Sequence, residues 1–79
     1  MARGFIPKEK RQLTEIAERI TGRRVLRHLT QADMAREIGK SRTTYTEKEN
    51  NIGKMYLEDF ITVLNALELE LTITDRSRA

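Results

Sequence analysis

Leu29-Thr-Gln-Ala-Asp-Met-Ala35-Arg-Glu-Ile-Gly39, then Lys40, then Ser41-Arg-Thr-Thr-Tyr-Thr-Glu-Lys-Glu49-Asn-Asn51, is the stretch that decides the fold of this 79-residue chain. Thr30 and Asp33 have the spacing of a capping box, in which the threonine hydroxyl and the acidic side chain three residues on satisfy each other's backbone N–H groups. Met34, Ala35 and Ile38 then give a short helix one apolar face. Gly39 ends that helix because glycine accepts the left-handed conformation of a helix C-cap at no steric cost. Ser41 can cap a second helix reaching about Glu49, and Asn50-Asn51-Ile-Gly53 reads as its C-cap and turn. Two short helices can cross steeply over so tight a turn only where the first is small at the crossing and the turn tolerates positive φ. Ala35 and Gly39, four residues apart, meet both conditions.

Working outward, Lys8 to about Arg27 is helical in pattern. Leu13, Ile16, Ala17 and Ile20 follow the i, i+3, i+4, i+7 rule, and Pro7 suits a first turn. Val25, Leu26 and Leu29 fall off that stripe with Gly22 at the change of phase, which predicts a bend there or two short helices. Downstream, Leu57, Phe60, Ile61, Leu64 and Leu67 mark an amphipathic helix flanked by Val63, and Met34 and Met55 are core or near-core candidates. The period then changes. Leu69, Leu71 and Ile73 alternate with Glu70, Thr72 and Thr74, a strand pattern. A lone strand leaves its backbone unpaired. Antiparallel pairing with a second copy would satisfy it and make Leu69, Leu71 and Ile73 dimerisation residues; the rival is pairing within the chain to Gly4-Phe5-Ile6.

Composition narrows the function. The chain has no Cys and a single His, His28, so a disulfide scaffold, a thiol nucleophile and a Cys- or His-cluster metal site are excluded, and no catalytic residue, metal or cofactor is expected. His28 fits a helix-end role. No apolar run approaches the roughly 18 residues of a membrane-spanning helix, and the start of the chain lacks a signal-peptide stretch, which makes the cytoplasm the default compartment. The net charge of +3 hides a gradient. Eight Lys/Arg face three Glu in residues 1–28, whereas residues 57–79 hold two basic groups against five acidic ones. A basic front suits a polyanion and an acidic rear suits a separate association surface.

The second helix of the quoted stretch is almost without an apolar face. Tyr45 is its one apolar-leaning residue, and Arg42, Thr43, Thr44, Thr46, Glu47 and Lys48 all hydrogen-bond. Such a helix either does not persist alone or has a polar partner. Duplex DNA is one: a recognition helix enters the major groove by its N-terminal end. There Arg42 can contact guanine in bidentate fashion, Thr43 can hydrogen-bond or offer its methyl to thymine, and Glu47 can accept from cytosine or repel the backbone. Lys40, Ser41 and the helix N-terminus suit phosphates.

The quoted residues resemble the Xre/Cro phage-repressor-type helix–turn–helix family, with similarity running from about Ile16 to Leu69. The resemblance implies a mostly α, four- or five-helix lambda-repressor-like domain. It makes Gln31 a phosphate contact that braces the recognition helix, places base reading on Arg42, Thr43 and Glu47 with Ser41 and Asn50 near the backbone, and implies an ion pair between Arg24 and Glu49. Three positions depart from the family pattern: Lys40 and Lys48 stand where aliphatics are usual, and Tyr45 replaces Ile or Val. Leu64 to Thr74 is also similar to antitoxin-type members, in which a terminal strand pairs across a dimer.

The expected organisation is an arm and start of the first helix over residues 1–12 and a domain over 13–68, with the helix–turn–helix at 30–50. A dimerisation strand at 69–74 and a tail at 75–79 complete it. The expected DNA-binding set is Gln31, Lys40, Ser41, Arg42, Thr43, Thr44, Thr46, Glu47, Asn50 and Lys54, and the structural set Arg24, Ala35, Gly39, Tyr45 and Glu49. The function expected is an autoregulating repressor, cytoplasmic and nucleoid-associated, prokaryotic or phage, binding a palindromic operator as a homodimer. The alternative is an antitoxin that neutralises a cognate toxin by direct binding and represses its own operon.

Overall fold

The computed structural model describes residues 7–76 and contains four α-helices: α1 Lys8–Leu26, α2 Gln31–Ile38, α3 Arg42–Asn50 and α4 Leu57–Ala66, with a 3-10 turn at Ile52–Lys54 between the last two. α2 packs on both α3 and α4, and α1 lies against α3 and the 3-10 turn. Ile20, Met34, Tyr45, Val63 and Leu67 are fully buried where these helices meet, so each helix sends at least one side chain inward. The helix–turn–helix arrangement is the α2–Gly39-Lys40-Ser41–α3 unit.

Local chemistry sets the helix ends. Thr30 Oγ1 accepts from the Asp33 N–H at 3.0 Å and Asp33 Oδ2 accepts from the Thr30 N–H at 2.8 Å, a complete capping box. The bond from the Thr30 N–H, together with the hydroxyl and nearby Arg36, holds the Asp33 carboxyl below its ordinary range. Gly39 sits at φ 68°, and the Lys40 N–H reaches back to the Ala35 carbonyl at 2.9 Å. α1 and α4 end in the same six-to-one bond, Leu29 to Arg24 at 3.0 Å and Leu69 to Leu64 at 2.8 Å, but with His28 at φ 61° and Glu68 at φ 58° in the left-handed position. The two ends are fastened together: Arg23 Nε donates to the Leu67 carbonyl at 2.9 Å and Arg27 pairs with Glu68 at 3.0 Å.

Three expectations are corrected. α1 runs unbroken through Gly22 as one helix; a Cβ added there would meet nothing within 4 Å, so no close neighbour demands glycine at that position. The change of phase instead turns Val25 and Leu26 outward, 59% and 69% exposed. On α4 the buried face is formed by Val63 and Leu64 with Leu67 just beyond, so Val63 is central, while Leu57 and Ile61 face out. Residues 69–76 form no strand among the described residues: Leu69 is partly buried against the core, Leu71 is half exposed and Ile73 almost fully exposed. Gly4-Phe5-Ile6, the rival partner, lies outside the described residues. Among those described, no helix is long and apolar enough to cross a membrane.

Candidate nucleic-acid interface

α3 has one inward and one outward face. At about 100° per residue, Arg42, Thr46, Asn50, Thr43 and Glu47 fall in that order within an arc of about 140°, and Glu49 and Tyr45 follow beyond Arg42, about 20° and 60° outside the arc. Burial agrees: Tyr45 and Glu49 are buried, and Arg42, Thr43, Glu47 and Asn50 are exposed. Ser41 caps the helix by accepting from the Thr44 N–H at 3.1 Å and donates to Thr44 Oγ1 at 3.0 Å, so Thr44 is half-buried and engaged with the cap.

What orients α3 is a carboxylate. Glu49, 4% exposed, receives Arg24 Nε at 2.9 Å and Nη2 at 3.2 Å, Gln31 Nε2 at 2.9 Å and the Tyr45 hydroxyl at 2.7 Å. The third arm of Arg24, Nη1, donates to the Leu29 carbonyl at 2.9 Å and so ties the α1–α2 connection to the same cluster. Thr46 Oγ1 donates to Gln31 Oε1 at 2.9 Å, so Gln31 holds α3 through both its oxygen and its nitrogen. Burial alone would raise the Glu49 carboxyl, but the donated bonds from Arg24, Tyr45 and Gln31 outweigh it and hold the group below its ordinary value. Tyr45 is pushed well above the ordinary phenol range by burial and by donating to that carboxylate. Tyrosine is thus what Glu49 requires at this position: it fills the core like an aliphatic and supplies a donor that Ile or Val lacks.

The N-terminal ends of α2 and α3 open on one shallow depression of about 460 Å3, which sets Thr30 and Gln31 beside Arg42. Helix N-termini and a guanidinium make this side attractive to anions. Lys54 is exposed on the 3-10 turn beyond Asn50. Lys40 stands apart from the set. Its Nζ pairs with Asp59 Oδ2 at 3.1 Å and lies 5.2 Å over the Tyr56 ring, so it ties the turn to the start of α4. Asp59, Tyr56 and Arg23 are the side chains the sequence did not single out; their partners are 19, 16 and 44 residues away, beyond any local pattern. Among the described residues no cluster of three or more His, Cys, Asp or Glu is placed to hold a metal ion.

No family model matches the chain, and no solved structure matches it. Over 57 residues it is 37% identical to a curated protein, the cryptic phage CTXphi transcriptional repressor RstR of Vibrio cholerae serotype O1, an alignment covering 72% of this chain and 51% of that one. The chain therefore spans about half the length of this relative.

Proposed function

We propose that the protein is a sequence-specific DNA-binding regulator that represses transcription, its own included, by occupying a palindromic operator as a homodimer. The observation that carries this is the division of labour on α3: Tyr45, Glu49 and Thr46 bond to each other or to the rest of the domain, and Thr44 to the Ser41 cap. Arg42, Thr43, Glu47 and Asn50 are left as an exposed row of hydrogen-bonding groups with no apolar member. Likeness to a phage transcriptional repressor supports the same reading.

In this mechanism the N-terminal end of α3 enters the major groove. Arg42 reads guanine through its two-pronged guanidinium, and Thr43 and Glu47 test the neighbouring base edges. Gln31 Nε2 spends one proton on Glu49 and keeps the other for a phosphate. Phosphates are also met by Asn50, Lys54 and the α2 N-terminus; these contacts set the register. Dimerisation uses Leu69, Leu71 and Ile73, two of which are exposed at the end of the described chain. A two-fold axis there sets two recognition helices about one DNA turn, roughly 34 Å, apart. Bound protein then excludes polymerase sterically.

Fluorescence anisotropy with DNA from upstream of the protein's own gene, against random DNA, tests this. The wild type should prefer its own upstream DNA with two chains per duplex, and Arg42→Ala should cost about 1–3 kcal/mol on that DNA and relax preference at one base pair. An unchanged operator-to-random ratio for Arg42→Ala would remove Arg42 from base reading, and no preference in the wild type would sink the specific regulator.

A further inference from the structure

We propose that Lys10 and Lys54 form a two-lysine clamp for the DNA backbone, set across the seam between α1 and the 3-10 turn. The inference rests on α3 being the groove-entering helix and adds a contact from α1, an element otherwise engaged in the core. The seam is close: a Cβ on Gly53 would lie 3.2 Å from Leu13 Cδ1, so the 3-10 turn crosses α1 at Leu13 with only a hydrogen atom to spare. Lys54 follows Gly53 directly, and Lys10 precedes Leu13 by one turn on the same helix.

Helix phase selects Lys10 among the basic residues of α1. At about 100° per residue, Lys10 shares a side with Leu13, Ala17 and Arg24, which face the domain, whereas Lys8 and Arg19 point away from it. A groove of about 650 Å3 confirms the placement, with Lys10 and Thr14 on one bank and Asn50, Asn51 and Gly53 on the other. Lys10 therefore stands beside the C-terminal end of the outward row on α3. Both lysines are exposed and neither has an ion-pair partner among the described residues, in contrast to Lys40, which Asp59 already holds. Two carboxylates also line the groove. Glu49 is neutralised by Arg24, and Glu18 lies about 12 Å further along α1 than Lys10, more than two turns from the clamp. A strongly hydrated ammonium on a flexible stem suits a phosphodiester, which it positions without reading sequence.

The test is a set of anisotropy titrations from about 50 to 200 mM salt on the upstream DNA and on random DNA, where each phosphate contact contributes about 0.9 to the slope of log affinity against log salt. Lys10→Gln and Lys54→Gln should each lower that slope by about 0.9, removing about 3.5-fold of the affinity change over this salt range, and the double variant by about twice as much. Both DNAs should lose equally, leaving the preference for the upstream DNA intact. Arg19→Gln, with the same charge change on the far side of α1, should keep the wild-type slope. A Lys10→Gln slope equal to that of Arg19→Gln overturns the clamp while leaving the recognition reading in place. A wild type that binds neither DNA overturns that reading and the clamp with it.

Discussion

Helices α2 and α3 are neighbours of eight and nine residues, and they are held by opposite means. α2 begins in a capping box, ends at a left-handed glycine and buries Met34 and Ala35 in the aliphatic core. α3 has a serine cap and one buried ring, and it is otherwise tied by polar bonds: a carboxylate surrounded by three donor side chains and the bond from Thr46 to Gln31. The contrast separates two physical tasks. Apolar burial is non-directional and settles whether a helix stays attached. Bonds from a planar guanidinium, an amide and a phenol are directional, and they settle the angle at which it is presented.

The largest way to break this contrast is Glu49→Ala. It leaves Arg24 largely buried without its partner and should destabilise the fold by about 3–5 kcal/mol. Met34→Ala removes only core volume and should cost about 2–5 kcal/mol. Chemical denaturation measures both. The two variants should differ in the native state that remains: Met34→Ala should keep the α3-dependent amide shifts in a nitrogen–proton NMR spectrum, and Glu49→Ala should lose them. If Glu49→Ala costs less than 1 kcal/mol, the polar cluster is not what anchors α3.

Acid offers a graded version. The folded Glu49 carboxyl lies below its ordinary value near 4.5, so its contribution is complete above that value and is lost as pH falls through the lower, folded one. Asp33 shifts in the same direction, so the wild type and Met34→Ala should both lose stability below about pH 4.5. Glu49→Gln should show a shallower loss, and an identical acid limb in Glu49→Gln and wild type would deny the carboxylate its role.

The smallest effects concern how the helices end. α2 has glycine in the left-handed position, whereas α1 has His28 and α4 has Glu68. Gly39→Ala should destabilise by about 1 kcal/mol although space is open there, because only the positive φ is penalised. His28→Gly should stabilise by about 0.5–1 kcal/mol for the mirror reason. Thermal melts of the pair should move in opposite directions; a shared sign would mean that neighbouring contacts, not φ, control these ends.

How much was legible follows from range. Thr30 with Asp33, Gly39 and Ser41 act over three or four residues, so their spacing alone announces the helix–turn–helix unit. The partnership of Arg24 with Glu49 spans 25 residues and came from resemblance to a family, and nothing in composition or period pointed to it. The bond from the Tyr45 hydroxyl to Glu49 spans only four residues, but Tyr45 counts in the sequence as the apolar-leaning anchor of its helix and Glu49 as the partner of Arg24, and neither role announces it. The ion pair of Lys40 with Asp59 bridges 19 residues, and a lysine after a glycine turn carries no local mark of it. Gly22 misled in the other direction: propensity disfavours glycine inside a helix by about 1 kcal/mol, and α1, packed on both sides of it, absorbs that cost. The alternation of Leu69, Leu71 and Ile73 has the period of a strand, but a strand needs a partner, and the described chain contains none.

The cluster around Glu49 also bears on how this molecule changes over generations. Since Tyr45 and Glu49 hold α3 from within, Arg42, Thr43, Glu47 and Asn50 contribute no core packing. Substitutions at exposed positions of this kind usually shift stability by no more than about 0.5 kcal/mol. The outward row can therefore be rewritten residue by residue without unfolding the domain, and the same scaffold can acquire a new vocabulary while its grammar stays fixed.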